Sequence, residues 1–414
     1  MQLKLVSLLG LIVFVGIAWA MSAHRNKFPW RAVLWGLGLQ FSFGFLILKT
    51  TGGERVFDFF QRGVTKLIGF ADDGSKMVFG PLADTTLLTE KLGSGNGFIF
   101  VITVTATIIL VAALSSLLYH YGILQLVVRG TAWVMQRLMR TSGSESLAAA
   151  ANIFMGQTEA PLVIRPYLPT MTRSEILALM TSGMATIAGG VLAAYVSFGI
   201  SAGHLLTASV MSAPAALLIA KVMLPETDKS ETAAGASATV PRETTNGLDA
   251  LCRGASDGVM LAINVMAMLI AFVAVVALAN YLLSLGLRPF GIHAEAPLQK
   301  LFGWVNAPFA WLMGVPTKDC VAIGGVLGER IVLNEFIGYL SLSKLTPTLD
   351  PRSFTLATYA LCGFANFSSI AIQIGGIGSL APSRRADLAS LGLRAMIGGL
   401  LASYLSATVA GILI

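Results

Sequence analysis

Long apolar windows separated by short charged stretches run along the whole chain. A helix needs about 20 apolar residues to cross a bilayer. The window 176–220 is long enough for two such helices, and a turn-like stretch at Ser197–Gly203 divides it. The pattern therefore predicts eight transmembrane helices, at about 3–22, 32–50, 98–118, 175–197, 203–224, within 248–290, 353–376 and 395–414.

Two further apolar stretches, 146–170 and 318–342, are too short to cross the bilayer twice. Gly156 and Pro161 interrupt the first stretch, and both residue types break helices. Non-helical backbone at membrane depth is tolerated only where protein buries it or where it lines a cavity. The sequence therefore predicts two re-entrant helical hairpins.

The two hairpins resemble copies of one unit, because each carries a lone glutamate beside an amide. Gly183 follows Glu159 by 24 residues, and Gly363 follows Glu335 by 28 residues. Glycine-interrupted apolar segments at matching places in two halves point to the binding site of a secondary transporter. The first hairpin is predicted to enter from the cytoplasm and the second from outside, so the repeat is predicted to be inverted.

Three segments mix apolar and charged residues at helical spacing: 51–91, 122–140 and 297–314. Such segments are typical of amphipathic helices that lie in the membrane interface. We expect the first and third on the outer surface and the second on the cytoplasmic face. Residues 225–247 are polar and rich in Ser, Thr and Ala, which predicts a mobile cytoplasmic linker between the repeats.

Composition agrees with a polytopic membrane protein, since 55% of the residues are hydrophobic and 12% are charged. Arg25, Lys27 and Arg31 place the first loop in the cytoplasm, so both termini are predicted to lie on the outer side of the membrane. The same basic residues argue for a retained first helix rather than a cleaved signal peptide. The net charge of +7 thus sets topology and does not indicate nucleic-acid binding.

The polar residues at the helix breaks are amides, hydroxyls and carboxylates, which suit a neutral solute with many donors and acceptors. A carboxylate can accept hydrogen bonds from two vicinal hydroxyls, whereas an anion fits poorly beside Glu159 and Glu335. The alternative is that these glutamates pair with Arg165 and Arg330 to pack the hairpins. No Ser-His-Asp set, metal-ligand cluster or phosphate-binding loop indicates an enzyme.

A coupling ion can also be considered from the residues. Sodium takes hard oxygen ligands, often unwound backbone carbonyls together with a side-chain oxygen. Asn152 and Thr186 could supply side-chain oxygens, and the carbonyls of Met155 and Ile187 could supply the rest. Proton coupling through one of the two hairpin glutamates is the competing interpretation.

Three separated motifs resemble the concentrative nucleoside transporter family, in its bacterial form. They are Gly156–Pro161 (Gly-Gln-Thr-Glu-Ala-Pro), Asn334–Phe336 (Asn-Glu-Phe) and Gly363–Ser369 (Gly-Phe-Ala-Asn-Phe-Ser-Ser). The family signature at the second hairpin has Lys where this chain has Arg330, and Val-Ala where it has Ile-Gly. These changes keep the charge and the small size.

The resemblance implies a homotrimer in a lipid membrane that imports nucleosides with sodium by an elevator-type movement. Proton-coupled symport and a non-coupled channel or sensor remain the alternatives. The implied scaffold is 1–120 and 248–290, the implied transport domain is 121–224 and 291–414, and 225–247 is the linker.

The resemblance also implies roles for individual residues, with sodium as coupling ion and no organic cofactor. It implies a base site formed by Gly156, Gln157, Thr158, Glu159 and Val191. It implies a ribose site formed by Glu335, Phe364, Asn366 and Ser369. It implies a sodium site formed by the side chains of Asn152 and Thr186 and the backbone carbonyls of Met155 and Ile187.

Overall fold

The computed structural model describes residues 2–92, 99–236, 244–290 and 296–414, which form helices joined by short turns. The α-helices in chain order are α1 (Gln2–Ala20), α2 (Trp30–Lys49), α3 (Thr51–Phe79), α4 (Thr85–Leu92), α5 (Phe100–His120), α6 (Ile123–Met139), α7 (Gly143–Asn152), α8 (Ala160–Val163), α9 (Arg173–Ala185), α10 (Gly189–Ser197), α11 (Ala202–Met223), α12 (Gly247–Leu287), α13 (Pro297–Leu312), α14 (Cys320–Val332), α15 (Glu335–Leu345), α16 (Pro351–Leu361), α17 (Phe367–Leu380) and α18 (Arg385–Leu413).

Six segments of the described chain are long and apolar enough to cross a membrane. Two of them, α11 and α18, are buried along most of their length and form the centre of the molecule. In contrast, α1, α2 and α5 keep large apolar side chains on their outer faces, as helices that contact lipid do. The predicted all-helical membrane fold is confirmed. The six segments are Gln2–Ala20, Trp30–Lys49, Val101–His120, Arg173–Ser197, Ala202–Met223 and Pro382–Leu413.

Two of the predicted helices, 175–197 and 353–376, are each divided by a break. The first divides into α9 and α10 at Thr186, whose backbone is extended (φ −123°, ψ 163°). The second divides into α16 and α17 around Gly363, which has φ +152°. A Cβ atom on Gly363 would lie 2.6 Å from the carbonyl oxygen of Met184, so glycine lets the two breaks approach each other.

The hairpin stretches are short helix pairs whose starts are capped by side chains. Ser142 and Glu145 form a capping box at α7, each side chain accepting a hydrogen bond from the other residue's backbone N–H. Asn334 caps α15 by accepting from the backbone N–H of Ile337 at 3.0 Å. The order of amphipathic helix, helix pair, broken helix and long helix occurs in α6–α11 and again in α13–α18.

Helices α12 and α18 are both longer than the roughly 20 residues that a helix needs to cross a bilayer. Helix α12 has 41 residues, about 60 Å at 1.5 Å per residue, which is twice the hydrocarbon thickness and requires tilt or projection. Helix α18 begins at Arg385 rather than at 395. The charge-free window missed its first turns because Arg385, Asp387 and Arg394 lie on the helix itself.

The linker differs from the mobile segment that its composition predicts. The carbonyl of Thr232 accepts from the backbone N–H of Gly143 at 2.9 Å, and the Thr232 side chain is buried. The Ser230 hydroxyl donates to Glu175 Oε1 at 2.6 Å. Residues 230–236, here called the strap, therefore bind α7 and α9, because their hydroxyls satisfy the buried carboxylate of Glu175. The rest of the linker at 237–243 lies outside the described residues.

Candidate functional site

The first hairpin reverses direction through a loop that is held by hydrogen bonds between its own residues. Helix α7 ends at Asn152, and the backbone N–H of Gly156 donates to Glu159 Oε2 at 3.1 Å. The N–H groups of Glu159 and Ala160 donate to the Gly156 carbonyl. The loop places Gln157 inside the protein, and it leaves the side chain of Glu159 accessible.

The carboxylate of Glu335, at the tip between α14 and α15, is buried and accepts two hydrogen bonds. Tyr195 donates its hydroxyl to Oε1 at 3.1 Å, and Asn366 donates through Nδ2 to Oε2 at 3.1 Å. Glu335 therefore keeps unused lone pairs, while its position is fixed from α10 on one side and α17 on the other. Such a carboxylate can accept further hydrogen bonds from a ligand.

Arg330 does not pair with Glu335 as the packing alternative supposes, since neither forms an ion pair within 4.0 Å in the described chain. Its guanidinium is fully buried and donates to the carbonyls of Ala360 at 2.6 Å and Gly363 at 3.2 Å. It also donates to Ser403 Oγ at 3.0 Å. Arg330 thus satisfies carbonyl oxygens that the break after α16 leaves without helical partners.

Asn366 connects the second tip to the first. Its Oδ1 caps α17 by accepting from the Ser369 N–H at 2.9 Å, and its Nδ2 holds Glu335. The hydroxyl of Ser369 accepts from Gln157 Nε2 at 3.0 Å. A continuous series of hydrogen bonds therefore runs from Gln157 through Ser369 and Asn366 to Glu335. The structure brings these four predicted site residues together.

The remaining predicted substrate residues lie around this series without joining it. Val191 is buried in the first turn of α10, four positions before Tyr195 and so on the same helix face. Phe364 is half-buried in the break between α16 and α17, and Thr158 is exposed. A Cβ atom on Gly376 would lie 3.2 Å from Thr158 Cγ2, so the first loop packs closely on α17.

The four predicted sodium ligands lie in two segments that contact each other. The carbonyl of Phe154, in the first loop, accepts from the Gly189 N–H at the start of α10 at 3.1 Å. Met155 follows in that loop, and Ile187 is buried in the break before Gly189. Backbone carbonyls of the first loop thus lie near those of the break before α10. This arrangement fits the way unwound helices bind sodium.

The side chains of this group also fit a cation. Asn152 donates through Nδ2 to the Ala148 carbonyl at 3.0 Å, while its buried Oδ1 has no hydrogen-bond partner among the described residues. Thr186 donates its hydroxyl to the Ser182 carbonyl at 2.9 Å, which leaves its oxygen lone pairs available. A buried acceptor without a donor is costly, and a bound cation would satisfy it.

Two residues at the site were missed by sequence reasoning. Tyr195 binds Glu335, and Gln373 is fully buried and donates through Nε2 to Gln157 Oε1 at 3.1 Å. The signal for Gln373 was available, because it is the lone amide in the apolar segment 367–380.

A cavity of about 280 Å³ separates the first hairpin loop from α5 and α12. Glu159 and Asp257 line it from opposite sides, together with His120 at the end of α5 and Arg253 near the start of α12. Arg165 also lines the cavity, but Glu159 forms no ion pair within 4.0 Å in the described chain.

Comparison with known proteins decides the family. Residues 204–411, half of the chain, match the family model described as "Na+ dependent nucleoside transporter C-terminus". This chain belongs to the sodium-dependent nucleoside transporter family. Residues 9–82 match the N-terminal model of the same family, and residues 101–202 match a model described as "Gate: Nucleoside recognition". The family consists of transporters rather than enzymes, with sodium as coupling ion, and the resemblance seen in the motifs is confirmed.

Relatives cover the whole chain. The "Uncharacterized transporter YutK" of Bacillus subtilis is 42% identical over 98% of both chains. The "Sodium/nucleoside cotransporter 2" of Rattus norvegicus is 39% identical over 99% of this chain, which spans 63% of that longer relative. The solved structure of CNTnw in an inward-facing substrate-bound state has a TM-score of 0.93, with 37% identity and coverage of 99% of this chain and 97% of that one.

Proposed function

We propose that the protein is a sodium-coupled symporter that imports nucleosides across the bacterial inner membrane. The observation that supports this most is the hydrogen-bond series from Gln157 to Glu335. It joins both loop tips and a broken helix, and it ends on a carboxylate with unused lone pairs. A nucleoside is neutral, carries vicinal hydroxyls and has a base with donors and acceptors, so it matches this set of groups.

Within this proposal the two ends of the series bind different parts of the nucleoside. The ribose hydroxyls donate to Glu335, and Asn366 and Ser369 bind the same sugar, with Phe364 beside it. The base lies at the first loop, against Gly156, Gln157, Thr158 and Glu159, and Val191 packs on its face. The buried Glu335 carboxylate, which has no ion pair within 4.0 Å among the described residues, favours such a neutral ligand over an anion.

Sodium is proposed to lie between Asn152, Thr186 and the carbonyls of Met155 and Ile187. A cation there holds the first loop against the break before α10, because the ligands come from both segments. The same loop carries Gln157, so sodium binding orders the base site. Sodium and nucleoside then raise each other's affinity by the same factor, as linkage requires.

We further propose a homotrimer in which both hairpins and α9–α11 and α16–α18 move as an elevator past α5 and α12. Helix α12 exposes apolar side chains, including Ile270, Val273 and Leu282, which suit lipid or neighbouring copies. The cavity beside Glu159 lies at the ends of α5 and α12 that the charge pattern predicts as cytoplasmic. This placement supports an inward-facing state with both termini periplasmic.

Uptake into proteoliposomes tests the proposal. Radiolabelled uridine is presented with an inward sodium gradient, and separately with an inward proton gradient in the absence of sodium. We expect accumulation against the uridine gradient with sodium alone. Accumulation with protons alone would transfer the coupling role to Glu159 or Glu335. Equilibration without accumulation would indicate a channel, and no nucleoside uptake by folded protein would contradict the substrate class.

A further inference from the structure

Gln373 has a hydrogen-bond arrangement that fixes the orientation of two amides. Its Nε2 lies 3.1 Å from the Met180 carbonyl and 3.1 Å from Gln157 Oε1. The Met180 carbonyl is only an acceptor, so the NH₂ end of Gln373 must face it. The second N–H of that NH₂ group then requires an acceptor, which makes the oxygen of Gln157 face Gln373.

The orientation of Gln157 follows from this. Its oxygen is occupied by Gln373, and its Nε2 donates one N–H to Ser369 Oγ at 3.0 Å. One N–H of Gln157 remains for a ligand, while its oxygen faces Gln373. The groups from Met180 through Gln373 and Gln157 to Ser369 are here called the amide relay, since each member determines the direction of the next.

The packing around the relay is adapted to it. Gly183 on α9 lies against both glutamines, and a Cβ atom there would be 2.7 Å from Gln373 Nε2 and 3.0 Å from Gln157 Cβ. Gln373 is fully buried, and its Oε1 has no hydrogen-bond partner in the part of the chain that the structure describes. A buried amide with an unpaired oxygen is unfavourable compared with Leu or Met at the same place. Packing alone therefore does not account for a glutamine in this apolar helix.

We propose that Gln373 is a positioning residue that makes Gln157 a hydrogen-bond donor toward C4 of a pyrimidine base or C6 of a purine base, and thereby selects nucleosides with a carbonyl oxygen at that position. Uracil and hypoxanthine offer a carbonyl oxygen where cytosine and adenine carry an amino group. An amino group facing the Gln157 N–H leaves two donors opposed and unpaired. The inference rests on the proposed function, which places Gln157 at the base.

Competition experiments test this through matched pairs of nucleosides. The inhibition constants of uridine and cytidine, and of inosine and adenosine, are measured against radiolabelled uridine uptake in proteoliposomes. The loss of one well-made hydrogen bond corresponds to a preference of about 5- to 150-fold for the carbonyl member of each pair. In Gln373→Met, where the Gln157 amide can rotate, we expect both ratios to fall to within about threefold of one.

Two controls separate this role from general damage. Gln40→Met makes the same exchange at another fully buried glutamine, on α2, and should keep both ratios. In a Gln157→Ala background, Gln373→Met should cause no further change in the ratios, because the relay no longer reaches the base. A purely structural role would lower the rate for every nucleoside equally and leave the ratios as they are.

Several results would overturn the inference. Wild-type protein that transports uridine but does not prefer the carbonyl members contradicts it, even if Gln373→Met fails to fold. Unchanged ratios in folded Gln373→Met also contradict it while leaving the proposed function intact. Absence of transport for every nucleoside in wild-type protein instead contradicts the proposed function, and the relay then has no base to select.

Discussion

Replacing Glu335 by Gln separates the structural and the binding roles of this carboxylate. In the wild-type chain Glu335 accepts from Tyr195 Oη and from Asn366 Nδ2. The Asn366 amide cannot turn, because its oxygen accepts from the Ser369 N–H and the Ser368 hydroxyl. The oxygen of Gln at position 335 would therefore face Asn366, and its NH₂ would face Tyr195. The tyrosine hydroxyl can rotate to accept that N–H, so Tyr195 and Asn366 each keep one hydrogen bond to residue 335.

The expected changes in stability and in nucleoside affinity follow from which hydrogen bonds Glu335→Gln keeps and which it loses. Since both hydrogen bonds to residue 335 are kept in number, we expect the free energy of unfolding to change by less than about 1 kcal/mol. The proposed bonds from two ribose hydroxyls to a charged acceptor are worth about 1.5–3 kcal/mol each. Loss of both would weaken nucleoside binding by about 3–6 kcal/mol, or roughly 10²- to 10⁴-fold.

Two measurements on the purified protein check this. Thermal unfolding in detergent reports stability, and calorimetric titration with uridine at saturating sodium reports affinity. Glu329→Gln is the matched control, since it makes the same change in helix α14, outside the proposed site, and should keep the affinity. Uridine binding by Glu335→Gln within fivefold of wild type would refute the ribose contact. Unfolding of Glu335→Gln with normal affinity would show that the carboxylate is structural.

Two further predictions concern the ion and the broken helix. Thr186→Val removes one proposed sodium oxygen at nearly constant volume. We therefore expect a higher sodium concentration for half-maximal uptake, with unchanged uridine affinity at saturating sodium. An unchanged sodium dependence would favour protons as the coupling ion. Arg330→Met removes the donors to the Ala360 and Gly363 carbonyls, each worth about 1–3 kcal/mol when buried and unpaired. We therefore expect thermal unfolding to show that Arg330→Met lowers the free energy of unfolding by about 2–6 kcal/mol, and that Arg330→Lys lowers it less. Equal stability of Arg330→Met and wild type would contradict this role of Arg330.

Hydrophobic patterning was sufficient to locate most helices, because crossing a bilayer requires long apolar runs and short charged loops. The same patterning could not place the start of α18, since charged residues on that helix resemble a loop. Helix breaks were indicated by glycine beside polar residues, as at Gly183 and Gly363. Their exact positions depend on contacts between segments far apart in the chain, which no local pattern contains.

The site was predictable where a carboxylate or amide stands in an otherwise apolar stretch, as with Glu335 and Gln157. Tyr195 was not found, because its importance comes only from the partner that folding brings to it, and Gln373 was overlooked although it is the lone amide in its apolar segment. One part of the linker, the strap at 230–236, differs from what its composition predicts for a related reason. Hydroxyl-rich composition is typical of disorder, but Ser230 and Thr232 meet the carboxylate of Glu175, which no composition reveals.

The strap has a consequence for how the chain folds during synthesis. Glu175 on α9 also accepts from the Ser144 hydroxyl at 3.1 Å, and Gly143 at the start of α7 donates to the strap at 2.9 Å. Chains emerge from the ribosome N-terminus first, and folding units form in that order. The first repeat therefore cannot complete its hydrogen bonds when α11 has been made, and must wait for about a dozen more residues. Truncation after residue 236 should give a more protease-resistant fragment than truncation after residue 224.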